Sequence, residues 1–341
     1  MINIAFFDTK PYDRIHFDQL VEDRPYAITY FESKLNERTA PLASGYDVVI
    51  AFVNDTISAE VIEMLHQGGV GLIAMRCAGY NNIDFKAAFG KIHIVRVPAY
   101  SPHAVAEHAM ALLLSAVRKI HKSYARTREF NFSLNGLVGF DLYGKTIGVV
   151  GTGKIGRVFC EICKGFGMRV LAYDPYPATD LNVEYCSFEE LCTHSDIISL
   201  HCPLTEESLH LIDRDSIARM KDQVVIINTS RGALVDSQAL LEGIRSKKIG
   251  SAALDVYEEE AELFYEDQST NILDDDILML LISMPNVLVT SHQAFLTEEA
   301  LSNIAETTIY SIGQYTSGAV MEHEICYRCD TCQKQEGKRC F

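Results

Sequence analysis

Apolar residues along this chain gather in short runs rich in Val, Ile and Ala, separated by longer stretches where they recur at helical spacing. The runs Asn3–Phe7, Val48–Phe52, Gly71–Met75, Ile94–Val97, Thr146–Val150, Arg169–Tyr173, Ile197–His201, Val224–Asn228 and Gly250–Asp255 predict strands. Strands alternating with helical stretches imply an α/β fold of parallel sheets joined by crossover helices. The most helical stretch opens at Ser101-Pro102, a Ser cap followed by Pro at the first helical position, and runs through about Lys122. It marks a crossing between two domains. One occupies 101–297, the other is 1–100 completed by a returning helix at Glu298–Tyr315 (1–100 plus 298–325), and residues 326–341 remain as a tail.

Composition narrows the class. With 341 residues, 48% hydrophobic and 22% charged, the chain is long enough for two cores without disulfides. Its net charge of −16 opposes binding to nucleic acid or to anionic membranes. The start, Met1–Asp8, reads as a buried strand rather than a signal peptide, and no apolar run reaches bilayer length, so a cytoplasmic protein without a membrane span is expected. Acidic clusters at Glu258–Glu262 and Asp274–Asp276 read as solvated loop or helix-start charges, with Glu260 an exception.

The strand ending at Val150 runs into Gly151-Thr-Gly153-Lys-Ile-Gly156 and then a helical segment, the context that a dinucleotide fingerprint requires. Gly151 permits the tight turn, Gly153 lets a pyrophosphate approach the backbone, and Gly156 allows the helix to pack on the strand. The helix N-terminus attracts the phosphates. The next strand ends at Asp174, whose carboxylate can accept hydrogen bonds from a ribose and would repel a 2′-phosphate. NAD rather than NADP is the expected cofactor.

Widely separated motifs in fixed order then identify a resemblance to the D-isomer-specific 2-hydroxyacid dehydrogenase family, and within it to the fermentative D-lactate branch. They are Arg76-Cys-Ala-Gly-Tyr-Asn-Asn-Ile-Asp84, Val97-Pro-Ala-Tyr-Ser-Pro102, Ala106-Glu-His108, the Gly loop, His201-Cys-Pro-Leu-Thr205, Asn228-Thr-Ser-Arg-Gly232, Ala253-Leu-Asp-Val-Tyr-Glu-Glu-Glu260 and Ser291-His-Gln-Ala-Phe295. The resemblance implies two Rossmann-like or flavodoxin-like domains with an active-site cleft between them, and NAD-dependent, reversible reduction of a 2-oxo acid to a D-2-hydroxy acid. It further implies a homo-oligomer, a dimer or tetramer, that takes a small-molecule substrate.

Hydride reaching a ketone carbon leaves charge on oxygen, so such a site needs a proton donor and a cation for the substrate carboxylate. His292 and Arg231 have the right chemistry, and Arg231 sits just past the predicted strand Val224–Asn228; it offers a planar fork that grips a carboxylate and polarises a carbonyl. The family motif puts Glu260 beside the imidazole, where a carboxylate favours the protonated ring, so its loss should make reduction fall off at lower pH. The resemblance also assigns Asp255 to the nicotinamide end, adds Lys154, Ile155, Pro203 and Thr229 to the cofactor contacts, gives Ala78 and Gly79 as backbone donors to the substrate carboxylate, and makes Tyr100 a substrate-side residue. Phe52 and Phe295 are candidate pocket walls.

Pyruvate is the favoured substrate. Alternatives are a dehydrogenase for bulkier acids such as phenyllactate or 2-hydroxyisocaproate, and an NADH-sensing protein like the family's corepressors. No metal is assigned to the catalytic site. In the tail, Cys326, Cys329, Cys332 and Cys340 are either metal or redox ligands or part of a mobile extension, the second being favoured. Cys160 and Cys163 read as core residues, and Cys77 as a buried or oxidation-sensitive thiol.

Overall fold

The computed structural model describes residues 1–260, 263–328 and 340–341. The chain divides into two compact units, Met1–Ser101 with Leu296–Phe341, and Pro102–Phe295. In the first, strands β1 (Ile2–Phe6), β2 (Tyr26–Tyr30), β3 (Val48–Ala51), β4 (Leu72–Met75) and β5 (His93–Arg96) form a parallel sheet of order β2-β1-β3-β4-β5. This is the flavodoxin-like winding. Continuous apolar runs such as Val-Val-Ile-Ala in β3 are buried at every position because helices cover both faces. The helix Glu298–Thr316, capped by the Thr297 side chain on Ala300 N–H, supplies Ala305, Ile309 and Ile312 to the core around Ile4, Phe6, Ile50 and Leu72.

The second unit holds β6 (Thr146–Val150), β7 (Arg169–Tyr173), β8 (Glu184–Tyr185), β9 (Ile197–Leu200), β10 (Val224–Asn228), β11 (Ile249–Leu254) and β12 (Val287–Val289) in the order β12-β11-β10-β9-β6-β7-β8. All neighbours are parallel. Counted from β6, this is the doubly wound dinucleotide-binding order with one strand added at the far edge. The helices Pro102–Arg118 and Lys154–Gly165 pack on one another through small residues, Ala106 and Ala109 against Phe159, Cys160 and Cys163. Burial pushes the Cys160 thiol up to about 12 and the Cys163 thiol higher, so neither carries the thiolate that redox chemistry requires.

Three expectations change. The single helix through Lys122 is two: Lys119 turns left-handed at φ +54°, ending Pro102–Arg118, and Ile120–Arg128 begins anew. No Gly or Asn marks that turn. The strands β2, β8 and β12 add to the nine expected. Where the tail is described it makes contacts that a free extension would lack: the Phe341 ring stacks on His93 at 4.2 Å and 3°, and Cys340 N–H donates to Glu324 at 2.8 Å. Cys329 and Cys332, and with them the four-thiolate reading, lie outside the described residues.

Candidate active site

Strand order in the second unit reverses between β6 and β9, and ligands of an open parallel sheet gather beyond the carboxyl ends at such a point. Gly151 follows β6 with φ +91°, and a Cβ there would stand 2.6 Å from the Cys202 amide nitrogen, so both conformation and packing require glycine. A Cβ on Gly156 would run into the Gly151 carbonyl. Gly153 is different. Nothing lies within 4 Å of an added Cβ, which leaves open space at the start of the helix whose first turn holds Lys154 and Ile155.

Asp174 stands just past β7. Its Oδ2 accepts the Thr152 N–H (2.7 Å) and hydroxyl (2.9 Å), and its Oδ1 the Tyr176 N–H (2.9 Å). With Gly151, Gly153, Tyr176, Cys202 and Pro203 it lines a cavity of about 540 Å³. After β10, the buried Thr229 hydroxyl has no hydrogen-bond partner among the described residues, a cost that a bound ligand relieves. An open cradle, a carboxylate at the cavity wall and an orphaned hydroxyl fit NAD.

His201, at the end of β9, packs on Phe159 with centroids 4.7 Å apart and meets the Ser199 hydroxyl at 2.9 Å through Nε2. Burial pushes its pKa down to about 3, so the folded protein keeps it neutral while the unfolded chain takes up a proton below about 6.5. Stability should therefore fall as pH drops from about 6.5 toward 3, by up to about 1.4 kcal/mol per pH unit from this group. Thermal melts at pH 7 and pH 5 should show a smaller loss for His201→Asn than for the wild type.

The three catalytic candidates follow three neighbouring strands. Arg231 comes after β10, Glu260 after β11 and His292 after β12, so parallel pairing delivers all three to the same sheet edge. His292 Nδ1 lies 2.7 Å from Glu260 Oε1, both side chains 18% exposed, and the other Glu260 oxygen accepts the Tyr257 N–H at 2.8 Å. His292 itself is left-handed, φ +53°, a conformation held by its surroundings. Its N–H donates to the Asp255 carbonyl (2.7 Å) and its carbonyl accepts the Tyr265 hydroxyl (3.1 Å).

Asp255 braces this loop. Wholly buried, its carboxylate accepts the Thr290 hydroxyl (2.6 Å) and the N–H groups of Gln293 (2.9 Å) and Ala294 (2.8 Å), with His108 Nε2 at 3.3 Å. Burial pushes its pKa up, but the hydrogen bonds of His108, Thr290 and Ala294 outweigh that and hold it below the ordinary carboxylate range. His108 lies in a family motif that announces no role for it, and Thr290 lies in none of the motifs. Around Arg231, the Asn228 side chain donates to the Arg231 carbonyl (2.8 Å) and Arg231 Nη1 to the Ser230 carbonyl (2.7 Å). The next residue, Gly232, packs so closely on the Tyr257–Glu258 peptide that a Cβ would overlap it, which joins the Arg231 loop to the Glu260 loop.

In the first unit, the Ala78 carbonyl accepts Arg96 Nη1 at 2.9 Å and the Gly79 carbonyl accepts the Cys77 thiol at 3.2 Å. Phe52 is buried beneath Arg76, whose Cζ lies 4.0 Å from the ring centre, and its N–H donates to Asp55 at 2.6 Å. The Tyr100 carbonyl accepts the Asn303 side chain at 2.7 Å. Phe295, the last residue of the second unit, is buried. Arg96, Arg76 and Asp55 thus hold the loops of the substrate candidates, a supporting role that no spacing in the sequence announced.

Comparison with known proteins shows the family and the fold. Residues 110–294 match the family described as D-isomer specific 2-hydroxyacid dehydrogenase, NAD binding domain. A D-lactate dehydrogenase of Escherichia coli K12 is 49% identical over 95% of this chain and 100% of its own length. The pyruvate reductase of Chlamydomonas reinhardtii superposes with a TM-score of 0.90 at 42% identity, covering 94% of this chain and 98% of that one. An NAD-complexed D-isomer specific 2-hydroxyacid dehydrogenase of Lactobacillus delbrueckii superposes at 0.78 with 27% identity, covering 95% and 99%.

Proposed function

This chain belongs to the D-isomer specific 2-hydroxyacid dehydrogenase family, and from that premise we propose that it is a D-lactate dehydrogenase, reducing pyruvate to D-lactate reversibly. The observation that carries the reading is the contact of His292 Nδ1 with Glu260. With Nδ1 engaged by a carboxylate, Nε2 is the atom left to move a proton. NAD, when bound, exchanges a hydride with the substrate's second carbon. His292 Nε2 gives a proton to the carbonyl oxygen in reduction and recovers it in oxidation. Arg231 grips the carboxylate and polarises the carbonyl. The N–H groups of Ala78 and Gly79 add to that grip, Tyr100, Phe52 and Phe295 shape the substrate's surroundings, and Asp255 serves the nicotinamide end through the loop it braces. Lys154, Ile155, Pro203 and Thr229 complete the cofactor's contacts.

Following NADH absorbance with pyruvate, with phenylpyruvate and with no substrate tests this. Rapid pyruvate-dependent loss is expected. A preference for phenylpyruvate would move the chain to bulkier acids, and NADH binding without turnover would make it a sensor.

We read the protein further as a cytoplasmic, fermentative homo-oligomer. Phe130, Phe132, Leu134 and Val138 stand largely exposed, next to a helix bearing Lys122, Arg126 and Arg128 in a chain of charge −16. An apolar, locally basic surface is suited to a second copy of an acidic chain. Among the described residues no helix is long and apolar enough to cross a membrane.

A further inference from the structure

The carboxylate assigned to the cofactor ribose is not a lone strand-end side chain. A run of hydrogen bonds leads into it from the sheet edge. The Ala178 N–H donates to the Tyr185 hydroxyl (3.0 Å), the Tyr185 hydroxyl to Thr152 Oγ1 (3.0 Å), and the Thr152 hydroxyl to Asp174 Oδ2 (2.9 Å). Its direction is fixed at both ends. Tyr185 has its oxygen engaged by an N–H, so its own proton points on to Thr152, and Thr152, having accepted that hydrogen bond, turns its own hydrogen to the carboxylate. Strand pairing makes this possible: β8 is registered on β7 with Tyr185 opposite Ala172, two residues before Asp174.

We propose that Thr152 and Tyr185 are positioning residues for cofactor choice, locking Asp174 in the rotamer that accepts a ribose hydroxyl and denies space to a 2′-phosphate. The inference rests on the reading of Asp174 as the ribose acceptor. Oδ2 already accepts two donors, Thr152 N–H and Thr152 hydroxyl, and Oδ1 accepts Tyr176 N–H. A carboxylate offers about four acceptor positions, so roughly one remains for the ribose. Accommodating a 2′-phosphate requires the carboxylate to swing aside, which breaks the bonds to Thr152 and Tyr176 together. Neither the hydroxyl of buried Thr152 nor that of Tyr185 needs to touch the cofactor for this to work; the discrimination lies in the cost of moving Asp174.

The test is the ratio of kcat/KM for NADH to that for NADPH in Thr152→Val, Tyr185→Phe, Thr152→Ser and Asp174→Ala. Thr152→Val should lower the ratio by roughly fivefold and Tyr185→Phe by about threefold, the size of a typical net contribution of one intramolecular hydrogen bond lost or loosened, while Thr152→Ser, which keeps the hydroxyl, should stay near the wild type. A purely structural role would weaken both cofactors in proportion and leave the ratio unmoved. If Asp174→Ala loses discrimination while Thr152→Val and Tyr185→Phe retain it, the relay is refuted and the ribose role of Asp174 stands. If Asp174→Ala also retains it, the ribose assignment itself fails and takes the relay with it.

Discussion

Replacing His292 with Ala should slow pyruvate reduction by roughly 10³-fold, within the range that a positioned general acid contributes, while NADH binds almost as tightly as before. The separation follows from how the loop is built. The left-handed turn at residue 292 is held through its own backbone N–H groups, 292 on the Asp255 carbonyl and 293 and 294 on the Asp255 carboxylate, and none of these contacts uses the imidazole. The cofactor cavity is lined by other segments, Gly151–Gly153, Asp174–Tyr176 and His201–Ser208 among them. His292→Asn, a residue that tolerates positive φ well, guards against a loop that collapses in the Ala variant. Steady-state rates paired with NADH fluorescence titration read both effects, and wild-type turnover in either variant rejects His292 as the proton donor.

Arg231→Lys should lower kcat/KM for pyruvate by roughly 10²-fold or more, through KM and kcat together, although the charge is conserved. Two parallel N–H donors on a rigid plane bind a carboxylate bidentately, whereas an ammonium offers a point charge. The KM part reports the grip on the carboxylate. The kcat part reports help to the carbonyl oxygen as charge develops there. A variant altered in KM alone would confine Arg231 to substrate binding.

How far the chain could be read in advance depended on whether a residue's role is local. Gly151 and Gly156 were legible because a tight turn and a close approach leave no alternative to glycine, and the packing around both shows why. Arg231 was legible because it follows an apolar strand directly, whereas His292 follows a three-residue strand that no pattern announced and was singled out by its motif and its chemistry. Glu260 was not distinguishable by charge among its acidic neighbours; motif order singled it out, and the contact with His292 gives the reason. Glu258, two residues earlier, contacts His210 instead. The unread parts depend on distant neighbours. His108 meets Asp255 from a helix far away in sequence. In the first unit Arg76 and Asp13 are both 2% exposed and pair at 3.3 Å, although composition alone assigns charged residues to the surface. The strands β8 and β12 have two and three residues, too few to establish a period, and exist because a longer strand lies beside them.

The stereochemistry of the product tests the central claim most directly. With NADH and pyruvate the purified protein should form lactate that is entirely the D isomer, one molecule for each NADH consumed. L-lactate, a racemic mixture, or NADH oxidation without lactate would contradict the proposal that Arg231, His292 and bound NADH together reduce pyruvate as a D-lactate dehydrogenase does.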